Sequence, residues 1–276
     1  MESEQGGRAV TVLGIVGSPN REGRTHEAVG QALAGATEVG ASTELVFLDE
    51  YSSPQCRDCH PWICRTTHQC AFDAEGRFAA LAAKVLAANA IVFGTPVYYG
   101  IASESFYDFT QKMHRTQANL ANGVPALGIA IAGGTGGGLI SGLRPVYHHF
   151  QIMGMRAIEP LPATRFNWPW VLERAGALGK LLSLSAQAGR RPFDGLERLA
   201  WYDDLPYLSM SRVQERVYLT SVVVEAVAGQ SHPLTTEASQ TFVQACELLT
   251  AKDRDAALRL IEKAYSAAVE AFEARG

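Results

Sequence analysis

Four cysteines lie within a single fifteen-residue segment of this chain, which reads CRDCHPWICRTTHQC. The cysteines are Cys56, Cys59, Cys64 and Cys70. Thiolates at such close spacing can hold an iron–sulfur cluster or a tetrahedral zinc ion. His60 and His68 lie in the same segment and could replace a cysteine at a zinc ion. The third interpretation is a surface loop with reduced cysteines and no metal.

A polar loop with the sequence GSPNREGRT carries groups that suit a phosphate. Ser18, Asn20 and Thr25 offer short polar side chains, and Arg21 and Arg24 could add positive charge. A helix that starts here has unpaired N–H groups and a dipole that favours an anion. The segment is not a P-loop, because Arg24 replaces the lysine of that motif. It also lacks the glycine spacing of a dinucleotide-binding fingerprint. The alternative is an ordinary polar turn between a strand and a helix.

Two further loops combine glycine with groups that could border a flat ring. In TPVYYG, Pro96 stiffens the turn, and Gly100 permits close approach of the backbone to a ligand. Tyr98 and Tyr99 can cover a planar ligand, although either could equally pack in the core. The sequence GGTGGG at 133–138 carries an entropic cost, which suggests that backbone must approach a ligand closely. A flexible loop is the alternative.

The elements that position these loops follow from the alternation of short apolar segments with helical ones. The expected strands are Ala9–Val16, Thr43–Leu48, Ala90–Thr95, Pro125–Ala132 and Met155–Pro160. The expected helices between them are Thr25–Thr37, Phe78–Ala88, Ser103–Gln117 and Leu139–Met153. The sequence therefore predicts an α/β fold with a five-stranded parallel sheet, order 2-1-3-4-5, and helices on both faces.

Ligands of open parallel sheets bind beyond the carboxyl ends of the strands, where the strand order reverses. Strands one, three and four are neighbours in the expected order. The first loop (17–25), the second loop (95–100) and the third loop (133–138) should therefore converge. A phosphate site, a ring-covering turn and exposed N–H groups together indicate flavin mononucleotide, FMN. The cysteine segment follows strand two at the same end of the sheet, where a cluster could pass electrons to FMN.

At these residues the chain resembles the NADPH-dependent FMN reductase family of the flavodoxin-like superfamily, over roughly residues 9–160. The resemblance rests on GSPNREGRT, AIVFGTPVYYGIASESFYDF and AGGTGGGL in that order. It implies a flavodoxin-like fold in which the first loop holds the FMN phosphate and the other two flank the isoalloxazine ring. The chemistry of the loops adds Arg24, Gly100 and Gly136 to the residues that the resemblance implies. The candidate FMN-binding residues are Ser18, Pro19, Asn20, Arg24, Thr25, Pro96, Val97, Tyr98, Tyr99, Gly100, Gly133, Gly134, Thr135 and Gly136.

The cysteine segment is also similar to that of the iron–sulfur flavoproteins, a branch of the same superfamily. The compact motif of that branch has two residues between its second and third cysteines, whereas four separate Cys59 from Cys64. The resemblance implies a [4Fe–4S] cluster on the four cysteines. A changed loop around the same cluster is one interpretation of the different spacing, and a lost cluster is the other.

Residues 166–276 differ in pattern from residues 1–165. The first part is expected to form the FMN-binding domain, with a Cys-rich loop at 50–76. The second part reads as a mainly helical extension without further strands, and Asp253–Ala274 is clearly amphipathic. This extension could form the interface of a homodimer or homotetramer, or a lid.

Composition and charge restrict the classes of partner. The formal net charge is −4, without a block of basic residues, which argues against nucleic acid. No apolar run approaches the roughly 20 residues that span a bilayer, and the start MESEQGGR lacks the apolar core of a signal peptide. We therefore expect a cytoplasmic protein with reduced thiols and no membrane partner.

These features support one main hypothesis and two alternatives. The main hypothesis is an FMN-dependent oxidoreductase that takes hydride from NAD(P)H and reduces a quinone, flavin, nitro compound or specialised metabolite. The first alternative is an iron–sulfur flavoprotein that receives electrons from ferredoxin through a cluster at Cys56–Cys70. The second is a non-catalytic flavodoxin-like redox sensor or assembly module. Because flavin carries the difficult chemistry, no catalytic acid, base or nucleophile is expected from the chain.

Overall fold

A computed structural model describes residues 10–275, which form two compact units. The first unit runs from residue 10 to Ala132 and also includes Gly138–Ala163 and Pro169–Leu208. The second unit comprises Gly133–Gly137, Thr164–Trp168 and the described residues from Ser209 onward. The sequence predicted two domains that meet at residue 165. The two compact units do not test whether these domains are independent, so the domain boundary stays a prediction.

The first unit is built on one seven-stranded sheet. The strands are β1 (Thr11–Val16), β2 (Ser42–Phe47), β3 (Ala90–Tyr98), β4 (Ile101–Ala102), β5 (Pro125–Ala132), β6 (Arg156–Ala157) and β7 (Leu161–Thr164). The parallel strands follow the order β2-β1-β3-β5-β6, while β4 pairs antiparallel with β3, and β7 pairs with β5. This confirms the expected fold and strand order. The expected fifth strand is shorter than predicted, and the additional β7 follows it.

Helices connect these strands. The helices are α1 (Arg24–Glu38), α2 (Pro61–Thr67), α3 (Arg77–Ala87), α4 (Glu104–Gln117), α5 (Leu139–Met153), α6 (Trp168–Gln187) and α7 (Gly195–Asp203). The four expected helices are confirmed, with ends that agree to within one residue. The segment 50–76 was expected to be irregular but contains α2. Pro61 opens that helix, at a position where its missing N–H costs no hydrogen bond.

Close approach of α1 to the centre of the sheet requires glycine at two positions. A Cβ at Gly94 of β3 would lie 2.5 Å from the side chain of Val29, and one at Gly14 of β1 would lie 2.7 Å from that of Leu33. Every residue of β5 is buried. The apolar β-branched character of these strands therefore fits a sheet covered on both faces.

Helix α6 packs closely on α1 within the first unit. A Cβ at Gly179 would overlap the carbonyl oxygen of Ala32, and a Cβ at Gly35 would overlap that of Gly176. The two backbones approach so closely because no side chain separates them at these positions. Helix α6 thus extends the helical layer of the first unit beyond residue 165.

The second unit contains α8 (Arg212–Val227), α9 (Pro233–Thr250) and α10 (Arg254–Glu273). The amphipathic pattern at Asp253–Ala274 correctly predicted α10. Asp253 caps the start of this helix, and its buried face consists of Ile261, Tyr265 and several alanines. Residues 166–275 contain no strand, as expected. Across residues 10–275, no helix combines the length and apolarity needed to cross a membrane.

Helix α5 buries a histidine among aromatic rings. The His149 ring is edge-on to Phe93 and Phe106, with centroids 6.3 and 6.4 Å away. Burial, together with the neighbouring His148 and His114, lowers the pKa of His149 to about 3. His149 therefore stays neutral in the folded protein at neutral pH and belongs to the packing of α5 against the sheet.

The low pKa of His149 predicts a loss of stability in acid. Its pKa rises from about 3 in the folded state to 6.5 when unfolded, so its contribution is present above pH 6.5 and is lost as the pH falls towards 3. The free energy of unfolding should fall about 2 kcal/mol more in the wild type than in His149→Phe between about pH 7.5 and pH 5. Urea denaturation of both proteins at the two pH values measures the difference. Equal pH dependence of the two proteins would contradict the assignment.

Candidate functional site

The register of the sheet brings the ends of three strands to one edge. Val16 pairs with Gly94 across β1 and β3, and Val97 pairs with Ala132 across β3 and β5. The first loop leaves β1, and the second loop contains the end of β3. Because parallel strands share the same direction, these chain segments leave the sheet side by side.

Hydrogen bonds join the first loop to the residues on both sides of the second loop. The N–H of Gly17 donates to the carbonyl oxygen of Gly94 at 2.8 Å. The hydroxyl of Ser105 donates to the Gly17 carbonyl at 3.3 Å. On the other side, the N–H of Ser103 donates to Oγ1 of Thr95 at 3.1 Å. The first two of the three predicted loops are therefore adjacent, whereas the role of their residues in binding stays a prediction.

The first loop is held by its own polar side chains. Oγ of the buried Ser18 accepts the N–H of Asn20 at 3.2 Å, and Oδ1 of Asn20 accepts the N–H of Glu22 at 3.0 Å. Thr25 is buried in the first turn of α1, whereas Pro19 and Arg24 are exposed. No side chain caps the start of α1 at Gly23. The first N–H groups of this helix thus lack the acceptor that a capping residue would supply.

Arg21 does not provide the free positive charge expected in the first loop. Its guanidinium lies 2.8 Å from Asp49 and 3.1 Å from Glu50, and it stacks 3.8 Å from the ring centroid of Phe47. The hydrogen bond to Asp49 raises the pKa of Arg21. Asp49 and Glu50 are exposed, and both pair with this arginine. Two carboxylates therefore already neutralise the charge of Arg21.

The second loop is a β-hairpin rather than an irregular turn. Strand β3 continues through Pro96 and Val97, and Tyr98 pairs with Ile101 of β4. Tyr99 and Gly100 form the turn with φ values of 52° and 77°, as a two-residue hairpin turn requires. The side chains of Tyr98 and Tyr99 are 54% and 104% exposed. Neither tyrosine packs in the core, so that alternative is wrong, whereas their role in covering a planar ligand stays a prediction.

The start of α5 packs tightly against this hairpin. A Cβ at Gly138, where φ is +79°, would lie 2.5 Å from Cα of Gly100. A Cβ at Gly142 would lie 2.5 Å from the side chain of Val97. The close approach that the glycine-rich sequence indicated is thus, at these two positions, an approach of one backbone segment to another.

The third loop, apart from Gly138, belongs to the second unit, where two side chains hold it. Nε of Arg165 donates to the carbonyl of Gly134 at 2.8 Å, and the hydroxyl of Tyr265 donates to the carbonyl of Thr135. Gly136 is buried beside Leu219, whose side chain a Cβ would meet at 3.1 Å. Sequence analysis did not identify Arg165 or Tyr265. The only available signal was the place of Tyr265 in the apolar stripe of α10.

These contacts set the direction of the peptide groups in the third loop. The carbonyls of Gly134 and Thr135 are tied to Arg165 and Tyr265. Since the N–H and C=O of one peptide group point in opposite directions, the N–H of Thr135 points away from Arg165. Gly133, Gly134 and Thr135 are exposed. The backbone of the third loop is therefore exposed at these three residues, and its convergence with the first two loops stays a prediction.

The cysteine segment is attached to α4 by hydrogen bonds and an ion pair. Nδ1 of His68 lies 2.7 Å from the carbonyl oxygen of Thr116, so this nitrogen carries a proton. The side-chain amide of Gln117 donates to the His68 carbonyl at 2.9 Å, and Arg115 pairs with Asp58 at 2.9 Å. These contacts hold the segment on both sides of α2.

All four cysteines of the segment line one cavity as free thiols. Burial raises the pKa of Cys64, and the nearby Cys70, Cys59 and Cys56 raise it further. Four cysteine sulfurs around one cavity are the donors that a cysteine-ligated cluster uses, so the chemistry of the lining fits such a cluster. Within residues 10–275, no three Cys, His, Asp or Glu side chains converge on a point for a single ion. His60 lines the cavity, whereas Nδ1 of His68 hydrogen-bonds to the carbonyl oxygen of Thr116.

Fold and site geometry together define a flavodoxin-like α/β protein. The chain belongs to the NADPH-dependent FMN reductase family, whose sequence pattern matches residues 10–166. Membership supports FMN binding and an oxidoreductase function. The expected resemblance to this family is confirmed.

Two relatives and one solved structure extend this comparison. The iron–sulfur flavoprotein of Methanosarcina thermophila is 27% identical over 147 residues, which cover 52% of this chain and 74% of the relative. An iron–sulfur flavoprotein of Methanocaldococcus jannaschii is 28% identical over 148 residues, covering 52% and 73%. The structure of a flavone reductase matches with a TM-score of 0.51 and 18% identity, over 64% of this chain and 63% of its own length. The match to flavone reductase concerns the fold alone.

The contact between Gly138 and Gly100 predicts a specific effect on FMN binding. In Gly138→Ala the new methyl group displaces the hairpin, at a cost of about 1–3 kcal/mol for overpacking. We expect FMN affinity to fall about tenfold or more, measured by the quenching of flavin fluorescence. Gly189→Ala is the matched control, because Gly189 has φ +98° but no atom within 4 Å of an added Cβ. A weakening of similar size in the control would show that backbone strain alone is responsible.

The hydroxyl of Tyr265 predicts the local stability of the third loop. Tyr265→Phe removes the donor to the Thr135 carbonyl, which is worth about 1 kcal/mol. Amide hydrogen exchange at residues 133–137 should speed up roughly fivefold, while exchange in α8 and α9 stays unchanged. Hydrogen exchange followed by mass spectrometry measures both regions. Unchanged exchange at 133–137 would show that this hydroxyl does not hold the loop.

Proposed function

We propose that this protein is an FMN-dependent oxidoreductase that takes hydride from NAD(P)H and reduces a small-molecule acceptor. Candidate acceptors are a quinone, a flavin, a nitro compound or a specialised metabolite. The observation that carries the proposal is the hydrogen-bonded junction of Gly17 with Gly94. This junction places an uncapped helix start beside an exposed aromatic hairpin, within the region that matches the family.

The first loop is proposed to bind the phosphate of FMN. The uncapped N–H groups at the start of α1 would donate to the phosphate oxygens, which the helix dipole also favours. Backbone donors matter here because Asp49 and Glu50 already neutralise Arg21. The proposed phosphate-binding residues are Ser18, Pro19, Asn20, Arg24 and Thr25.

The second loop is proposed to border the isoalloxazine ring. Tyr98 and Tyr99 present exposed aromatic surface that can cover a flat ligand and exclude water from it. The proposed residues are Pro96, Val97, Tyr98, Tyr99 and Gly100. Bound FMN supplies the hydride chemistry, and the chain supplies its orientation and surroundings. No acidic, basic or nucleophilic side chain is assigned a chemical step.

The third loop is proposed to donate backbone hydrogen bonds to the polar edge of the ring. The exposure of Gly133, Gly134 and Thr135, and the hydrogen bond that turns the Gly134 carbonyl towards Arg165, support this role. The proposed residues are Gly133, Gly134, Thr135 and Gly136. Arg165 and Tyr265 would act as positioning residues, because they hold the two carbonyls of the loop.

A second candidate function is supported by the cysteine cavity. Cys56, Cys59, Cys64 and Cys70 line the same cavity, and the two relatives are iron–sulfur flavoproteins. We propose that these thiolates hold a [4Fe–4S] cluster, which supplies one-electron transfer between a donor such as ferredoxin and the flavin. The longer spacing between Cys59 and Cys64 is compatible with this role, because α2 starts after Cys59 and carries Cys64, which lines the cavity.

The assembly and cellular location are proposed from surface chemistry and composition. Leu196 and Leu199 of α7 are 80% and 62% exposed, and Leu181 and Leu184 of α6 are about half exposed. Contact with a second copy would remove this apolar surface from water. We propose a cytoplasmic homodimer or homotetramer, with no nucleic-acid or membrane partner.

Cofactor content and electron donor are tested in one experiment. Anaerobically purified protein should contain one FMN per chain, and its absorption spectrum should bleach on addition of NADPH or NADH without ferredoxin. Cys70→Ser should lose iron and sulfide but keep its FMN, since Cys70 lines the cysteine cavity and lies outside the FMN-binding loops. Flavin and iron assays on the same samples measure both groups.

Each candidate function has its own contradicting result. Bleaching only through a reduced iron–sulfur partner would overturn the NAD(P)H proposal in favour of the ferredoxin route. An absence of iron after anaerobic reconstitution would overturn the cluster. Protein that takes up no FMN would overturn both and leave a non-catalytic module.

A further inference from the structure

A buried lysine lies at the cysteine cavity. Lys112 of α4 lines the cavity together with the four cysteines, and only 1% of its surface is exposed. Fully buried lysines are rare unless an anion accompanies them, because removing the ammonium group from water is costly. The position of Lys112 therefore calls for a negative partner close by.

The neighbours of Lys112 do not include a close carboxylate. Its ammonium group donates to the hydroxyl of Ser53 and lies 5.7 Å from the ring centroid of Phe78. Among the described residues, no carboxylate forms an ion pair with it within 4 Å. Asp108, one turn earlier on α4, has a pKa that burial raises, and Lys112 offsets this only in part.

The other positive side chains at the cavity are already satisfied. Arg115 pairs with Asp58 at 2.9 Å, and Arg57 stacks 4.3 Å from the ring centroid of Phe72. Within residues 10–275, Lys112 is thus a buried lysine of this cavity that has no carboxylate within 4 Å. Four thiolates, or a cluster bound by them, would supply the missing negative charge.

We propose that the Lys112 ammonium group is the built-in counterion of the four-cysteine cavity and raises the reduction potential of the cluster held there. This inference rests on the iron–sulfur function proposed above. A cluster on four thiolates is anionic and gains one more negative charge when it accepts one electron from a low-potential donor, without uptake of a proton. A fixed positive charge in a site of low dielectric constant stabilises the reduced form more than the oxidised form.

The proposal is tested by potentiometric titration of the reconstituted cluster, followed by electron paramagnetic resonance with dithionite as the reductant. At a fixed ambient potential, Lys112→Gln should lower the ratio of reduced to oxidised cluster about tenfold, which corresponds to about 59 mV for one electron. Lys112→Arg, which keeps the charge, should restore most of the wild-type ratio. If Lys112→Gln does not fold, Lys112→Met removes the charge while keeping an apolar stem in the buried position.

Lys180→Gln is the matched control, because it makes the same change of charge at a lysine that pairs with Glu38 and does not line the cavity. We expect this variant to change the ratio less than threefold. Wild-type potential in both neutral variants of Lys112, or an equal shift in Lys180→Gln, would overturn the role of Lys112 while leaving the cluster in place. Wild-type protein that binds no iron would overturn the cluster and the counterion together, so the two failures are distinguishable.

Discussion

The hydrogen bond from the Gly17 N–H to the Gly94 carbonyl joins the ends of two neighbouring strands. It requires a first loop without a side chain at Gly17, where a Cβ would lie 3.1 Å from that same carbonyl oxygen. Gly94 in turn lets α1 lie close to the sheet, so the start of the helix is fixed relative to the hairpin. Helix start, first loop and aromatic hairpin thus share one backbone contact. Displacement of either strand end would separate them.

The charges at the first loop differ from those at the cysteine cavity. Near the first loop, Arg21 is neutralised by two carboxylates, so the proposed phosphate site relies on backbone N–H groups. At the cysteine cavity, the buried Lys112 donates to a hydroxyl and lies near an aromatic ring. The first arrangement favours a ligand that brings its own hydrogen-bond acceptors. The second favours a group that brings negative charge.

Much of the fold could be predicted from local sequence, because buried parallel strands and amphipathic helices have strong apolar patterns. The adjacency of the first two loops followed from strand order alone. The hairpin at Tyr99 and Gly100 was missed because a positive φ at tyrosine carries no local sequence signal. The contacts of Tyr265 with Thr135 and of Lys112 with the cysteine cavity join residues far apart in sequence. A single sequence gives no distance for such pairs, so their roles emerged only from the structure.

The close packing of α6 on α1 affects where this chain can be shortened. The family match ends at residue 166, before most of α6. A truncated protein that stops there would leave a strip of bare backbone on α1 around Ala32 and Gly35 open to solvent, where Gly176 and Gly179 now lie. The edge of a shared sequence pattern is therefore not a safe cleavage point in this molecule. A soluble fragment would have to retain the whole of α6.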